Sequence, residues 1–557
     1  MSALADILHG PGDPAARRAA WLALAAERGA AALTAEAAEV LARRRGADRP
    51  LAASGAGRFG AVACGSAAAA RIGMALLEAG GSAADAAAGA GFAMMVADPP
   101  NASPAGRAHV IWARPGEAPA AIDGATAAPS VLPGGLARLP DARALPLPGA
   151  VRALLALHDR GGRLPLATVA GPARDLARDG VAVAPELAEV WAWRAPEIVD
   201  PDARRHYLPG GRAPRAGDRF AQPGLAGFFD RLIETGRDPF ADLAFAAPFC
   251  NRLARKGGFW TVADLAAAAP REGEVVSAGG EGWRLASIGR QGWGHTLLRI
   301  VTLCAATGAT DALEAELAHL LAVLRAFDER PEELRSLKPK PDPLAWEVLV
   351  ARLGDHLPAD WASPAALSDA IGQARGPAAA EDRDTTHLSV VDAAGMRVAL
   401  TQSIGPHFGA RVADPETGIL IAHSYRMAEA PEPGARDVTE QCPCLLDIGA
   451  ARYALGGAGS ERIPGAVAAV IRALMAGAPL DRALAAPRSN WVGDHVRAHV
   501  DAPPGLEARL DHAGARVAFT DRGPVDHLGI VQAAGLEGTG RCIAAADPAY
   551  AGAALAG

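Results

Sequence analysis

Cysteine is scarce in this chain: six thiols, Cys64, Cys250, Cys304, Cys442, Cys444 and Cys542, are too few across 557 residues to build a disulfide scaffold. They read as reduced thiols, and the one-residue spacing of Cys442-Pro443-Cys444 matches neither a zinc knuckle nor a CxxC redox pair. Long apolar runs are missing too. No stretch reaches the roughly 20 apolar residues that span a bilayer, and the alanine-rich run from Ala86 to Ala97 stops at Asp98-Pro99-Pro100. The N-terminus carries an early Asp6 and no continuous apolar core, which argues against a secretory signal, so a soluble, cytoplasmic protein is expected. Charge of one sign is not in excess either. Lys and Arg number 55 against 62 Asp and Glu, for a net charge of -7, and no basic block offers the electrostatic footprint of a nucleic-acid binder. A small-molecule substrate is left as the expected partner.

What is present is the composition of a folded protein, 50% hydrophobic and 21% charged, in a chain long for one ordinary domain. Residues 1–57 are Ala- and Arg-rich with helical spacing and read as a helical preamble ending in the Gly-rich ASGAGRFG. From Phe59 the pattern is strand (GAVAC), helix (SAAAARIGMALLEAG) and glycine stop, then a second helix headed by Ser82 with Asp85 three residues on, a capping-box spacing. HVIWARP and AAIDGA read as strands; LPGAVRALLALHDRGG and GPARDLARDG read as helices. Residues 310–380 are helical and charge-rich and run into ARGPAAAEDRD, a polar linker of the kind where cleavage is tolerated. Beyond it, THLSVVDAAGMRVALTQSI is a pair of β runs around an Ala-Ala-Gly turn, and IPGAVAAVIRALMAG is a helix. The expected class is mixed α and β.

The informative segment is Asp384-Thr385-Thr386-His387-Leu388-Ser389-Val390-Val391-Asp392. A threonine hydroxyl is a poor nucleophile unless a base helps it, and its own α-amino group can serve once Thr is a chain N-terminus. Cleavage between Asp384 and Thr385 would create that group. By itself a Thr pair opening a strand is ordinary β sequence.

The surroundings carry more. TTH-x-SVVD, FGARVADPETGIL, GGAGSERIP, LAAPRSNW, the closing AAADPAYAG, and upstream EAGGSAADAAAGAGFAMMVADPP occur in order, so that residues 58–550 resemble the gamma-glutamyltranspeptidase family of N-terminal-nucleophile hydrolases. The resemblance implies an α+β fold, a four-layer αββα sandwich. It also implies one precursor cut into a large and a small subunit, with a large-subunit region at 58–384 after the N-terminal extension 1–57 and a small-subunit region at 385–557 headed by the nucleophile Thr385. In the same alignment Ser403 is the hydroxyl that bonds the nucleophile, and Gly459 and Ser460 supply the oxyanion-binding N–H groups. No metal or organic cofactor is implied.

The glutamyl-binding positions depart from the family. Ala125 stands at the place of the carboxylate-binding Arg, Gly405 at that of an Asn, Ser424 and Met427 at those of the Gln and Asp that hold the amino group, and Thr439 and Glu440 at a pair of serines. Arg107, His407, His423, Tyr425 and Arg426 fall in segments that line the family's site and suggest an acid or polar amide held by cationic and aromatic groups. The expected activity is therefore a self-processing Thr amidohydrolase or acyltransferase acting on a small amide. Two other readings stand beside it. One is a genuine γ-glutamyl enzyme with a rearranged carboxylate site, and the other is an inactive scaffold.

Overall fold

The computed structural model describes residues 3–10, 12–42, 51–131, 145–309, 311–328, 385–423, 432–492, 495–512, 516–525 and 527–557. In chain order the strands of its two large sheets are β1 (Ala52–Gly55), β2 (Gly60–Cys64), β3 (Arg107–Ala113), β4 (Ala120–Gly124), β5 (Arg271–Gly273), β6 (Val275–Gly280) and β7 (Trp283–Ile288). They continue with β8 (Thr386–Asp392), β9 (Arg397–Ser403), β10 (Cys444–Ile448), β11 (Ala451–Ala458), β12 (Ile530–Leu536), β13 (Cys542–Ala546) and β14 (Ala553–Ala556). One sheet runs β14-β2-β8-β9-β3-β4-β5 and the other β1-β13-β12-β11-β10-β7-β6. All their pairings are antiparallel.

Side-chain alternation sorts each strand between two layers. Leu388, Val390, Val398, Leu400 and Val110 pack outward against helices that include Ala67–Glu78, Ala83–Ala97 and Ala150–Gly161. Val391, Ala399, Ile111 and Ala121 face the second sheet across a middle layer rich in alanine, with Ala454, Ala534 and Ala544 opposite. The far side of the second sheet is covered by helices Gly294–Thr307, Ala312–Asp328 and Ile463–Met475. Helix, sheet, sheet, helix is the αββα arrangement expected from the resemblance.

Several sequence motifs turn out to hold this frame. The Ser82–Asp85 capping box is formed. Asp392 of the SVVD run accepts from Ala83 N (2.9 Å) and Met396 N (3.0 Å), so one carboxylate ties the start of a buried helix to the β8–β9 turn, where Gly395 has φ +89°. In the FGARVADPETGIL segment, Asp414 meets Arg252 at 2.6 Å, both buried. The N-terminal stretch contains helices Ala3–His9, Pro14–Arg28 and Ala30–Ala42, seated on Ala485 and Val500, and then β1, an edge strand paired with β13. The Gly-rich ASGAGRFG is thus partly sheet. The linker before Thr385 lies outside the described residues. Among the described residues no helix is long and apolar enough to cross a membrane.

Candidate active site

Directly opposed residues in an antiparallel sheet share a face, so the register decides which side chains meet. Thr386 pairs with Gln402, and one step further sets Thr385 opposite Ser403. Ser403 pairs with Arg107. Ala108 pairs with Gly124, and one step further sets Arg107 opposite Ala125. Thr385, Ser403, Arg107 and Ala125 therefore form one row at the end of the sheet, facing the second sheet; at about 4.8 Å per strand, Arg107 begins about 10 Å from Thr385. Thr385 and Ser403 are buried, and the Ser403 Oγ accepts from Gly405 N at 2.9 Å.

The next row inward is His387, Thr401, His109 and Asp123. His387 bonds Thr401 Oγ1 through Nδ1 (2.8 Å) and Ser389 Oγ through Nε2 (2.9 Å), while Gly456 of β11 lies over the ring, where a Cβ would stand 2.4 Å from Cε1. Burial pushes the His387 pKa down to about 3, so the ring is neutral. His109 bonds Gln441 (2.8 Å) and Asp123 (3.2 Å). Burial of Asp123 favours its acid form but is outweighed by His109 and Arg436, which together hold the carboxyl below the usual range.

Opposite these rows, β11 ends in a turn in which Gly459 has φ +121° and Ser460 φ +55°. Among the described non-glycine residues only Phe408 and Arg411 share a positive φ with Ser460. Gly459 lies against Gly529 and the His527 ring, so closely that a Cβ would sit 3.0 Å and 3.1 Å from them. Two segments flagged by the sequence brace this turn from below. Arg488 donates to Gly529 O and meets Asp547, each at 2.7 Å, and Asp547 accepts from Val531 N and Ala549 N.

Residues 432–441 form a strap over the row. Its backbone bonds Ala128 and Thr126 (Ala128 N to Ala435 O, 2.8 Å; Asp437 N to Thr126 O, 3.0 Å) and reaches Trp293 N through Gln441 O. From it Asp437 meets Arg107 at 2.5 Å, both buried, and Glu440 accepts from Ser460 Oγ at 3.3 Å. Arg436 is held by Asp123 (Nε to Oδ2, 3.0 Å). Beyond Arg107, Ala125 borders a cavity of about 350 Å³ that Ala127, Leu147, Asp264, Arg271 and Arg436 also line.

Of the residues singled out in the sequence, Thr385, Ser403 and Arg107 share a row, and Gly459 and Ser460 form the facing turn. His407 packs edge-on against Trp193, with ring centroids 5.8 Å apart, and half-buried His423 donates its backbone N–H to Ile404 O. Asp384, Tyr425 and Arg426 lie outside the described residues. Asp437, His109 and Asp123 were not singled out. The i, i+2 spacing of Arg107 and His109 could have signalled a shared face, but nothing local announces a partner for Arg107 that lies 330 residues away. Among the described residues no group of three or more His, Cys, Asp or Glu gathers to hold a metal ion.

Comparison with known proteins supplies the remaining finding. The family described as Gamma-glutamyltranspeptidase matches residues 69–557. Acylase ACY 1 proenzyme of Pseudomonas sp. (strain SE83) is 29% identical over 68% of this chain and 70% of its own length. Glutathione hydrolase proenzyme of Escherichia coli (strain K12) is 25% identical over 88% and 90%, and oxamate amidohydrolase proenzyme of Klebsiella pneumoniae is 29% identical over 66% and 71%. The crystal structure of cephalosporin acylase from Bacillus halodurans superposes with a TM-score of 0.73 at 23% identity, covering 92% of this chain and 97% of that one, a likeness of fold.

Proposed function

The chain belongs to the gamma-glutamyltranspeptidase family, and on that premise we propose that it is a self-cleaving amide hydrolase or acyltransferase whose nucleophile is Thr385. The observation that supports this reading is the register that sets Thr385 opposite Ser403 at the end of the sheet, across from the Gly459–Ser460 turn. In processing, the Thr385 hydroxyl adds to the Asp384 carbonyl and the peptide bond becomes an ester. Water hydrolyses that ester, leaving an Asp384 carboxylate and a free Thr385 α-amino group, and the chain becomes two subunits, 1–384 and 385–557. The α-amino group then serves as the base that Thr otherwise lacks.

On a substrate, Thr385 Oγ adds to the amide carbonyl while Ser403 orients the nucleophile's hydroxyl. The oxyanion takes hydrogen bonds from the backbone N–H groups of Gly459 and Ser460, and Gly529, braced by Arg488 and Asp547, keeps the turn in place before charge develops. The amine departs with the proton, and water or a second amine takes the acyl group from Thr385.

The relatives act on different acyl groups by their names, so membership speaks for the reaction and leaves the acyl group to the pocket. Ala125, Gly405 and Glu440 stand where the resemblance puts glutamyl-binding groups, and Arg107 is already paired with Asp437. The substrate proposed is a small amide other than a standard γ-glutamyl peptide. A denaturing gel with N-terminal sequencing tests the nucleophile: two bands are expected, the smaller beginning at Thr385, and an intact band that persists on incubation overturns the reading.

A further inference from the structure

Resting on the reading of Thr385 as nucleophile, we infer that the strap at residues 432–441 sets the charge of the substrate. Asp437 and Glu440 make the acyl pocket reject acyl groups that carry a carboxylate and accept neutral or cationic ones. Arg107 is the cation on the nucleophile's own row, about 10 Å along it. It would be the natural receptor for a carboxylate on a short acyl chain, because a guanidinium binds such a group bidentately. The strap has filled that role from within the protein. Asp437 meets Arg107 Nη1 at 2.5 Å, with Arg107 1% and Asp437 4% exposed.

An incoming carboxylate has two ways to reach that guanidinium, and both are unfavourable. Displacing Asp437 separates a buried carboxylate from the guanidinium it meets. Sharing the guanidinium sets two anions side by side in a poorly solvated site. The other end of the strap adds an effect of the same sign. Glu440 stands at the turn, within 3.3 Å of Ser460 Oγ, so a second acidic side chain borders the place where the scissile carbonyl sits. It repels an anionic acyl group and attracts an ammonium. The neighbouring cation of the strap, Arg436, is committed to Asp123 and to the Asp123 carbonyl (2.6 Å). One segment thus supplies both the counter-ion of Arg107 and the acid at the turn.

Four 4-nitroanilides of similar size test this on the processed protein: propionyl (no charge), β-alanyl (ammonium), succinyl (carboxylate) and β-aspartyl (both). The expected order in kcat/KM puts β-alanyl and propionyl at least about tenfold above succinyl, a step of 1.4 kcal/mol in transition-state binding. Asp437→Asn, which removes the Asp437 charge from beside Arg107, should raise succinyl relative to propionyl by about tenfold or more, and adding Arg107→Met to it should erase the gain. The wild-type order needs no variant, so it decides even if Asp437→Asn fails to fold. Succinyl turned over as fast as propionyl, or a succinyl-to-propionyl ratio that folded Asp437→Asn leaves unchanged, overturns the inference. A protein that cuts itself at Thr385 but hydrolyses none of the four overturns this inference alone, whereas one that stays uncut removes the nucleophile reading and this inference with it.

Discussion

Two rows of four residues lie one pleat apart on the same strands, and their side chains are of similar kinds. The outer row holds Thr385, Ser403, Arg107 and Ala125, and the inner row holds His387, Thr401, His109 and Asp123. Histidine beside threonine and aspartate looks more catalytic than threonine beside serine. Yet in the inner row His387 is spent on Thr401 and Ser389, His109 on Gln441 and Asp123, and a glycine of the facing sheet closes over the His387 ring. The outer row sits where the strand begins and where the facing strand breaks into a turn with donors. Depth along the strand, more than residue type, separates the bracing row from the row proposed for chemistry, because a reacting group needs a neighbouring space and a buried polar group needs its partners.

The sharpest way to break this comparison is Thr385→Ala, which should leave the chain uncut on a denaturing gel and its amidase activity at background. In the inner row His387→Ala should instead cost stability, about 3 kcal/mol for the lost ring and the orphaned hydroxyls of Thr401 and Ser389, read as a lowered denaturation midpoint. If it abolished cleavage in a protein of undiminished stability, the inner row would be chemistry. Ser403→Ala should lower kcat by about 10- to 100-fold, roughly the 1.5–3 kcal/mol of a bond to a charged or reacting group, and, because it leaves Gly405 N without its acceptor, lower the melting temperature by less than His387→Ala does.

Acid supplies a test without mutation. The folded-state pKa of His387, about 3, lies below the ordinary value of 6.5, so the unfolded chain binds the extra proton and stability falls as pH drops from 6.5 toward 3. His387 should contribute a loss of about 2 kcal/mol by pH 5, visible as a shallower pH slope of stability in folded His387→Gln. The smallest effect is expected at the turn. Ser460→Gly relieves a positive φ and gives up the Glu440 contact, terms of about 1 kcal/mol each and opposite sign, while the backbone N–H stays; kcat within about threefold of wild type is the expected result.

Much of the frame was legible in advance. The hairpin around Ala393-Ala394-Gly395, the Ser82–Asp85 cap and the helix after GGAGSERIP are all local patterns, and each formed as read. The proposed site was legible in part. Thr385, Ser403 and the Gly459–Ser460 turn came from ordered motifs, whereas the function of Arg107 could not be judged from its own segment. It looked like an unclaimed cation for a substrate acid, and the structure gives it Asp437 from the strap. Likewise Arg488 and Asp547 belong to separate motifs with no visible relation in sequence, and only folding shows them as the two halves of one brace under the turn.

The sequence by itself determined the mixed α and β class and, through ordered motifs that resemble one family, the family, the layer order and the Thr385 proposed as nucleophile, since these rest on short segments: alternation, caps and glycine stops for the elements, and motif matches for the rest. Only the tertiary structure decided which polar residues are occupied and by what. A sheet register converts positions 385, 403, 107 and 125 into neighbours, and a crossing strap neutralises one of them. Charge balance in a buried pocket is a property of side chains brought together from distant segments, because the Coulomb term depends on separation in space and on the solvent removed.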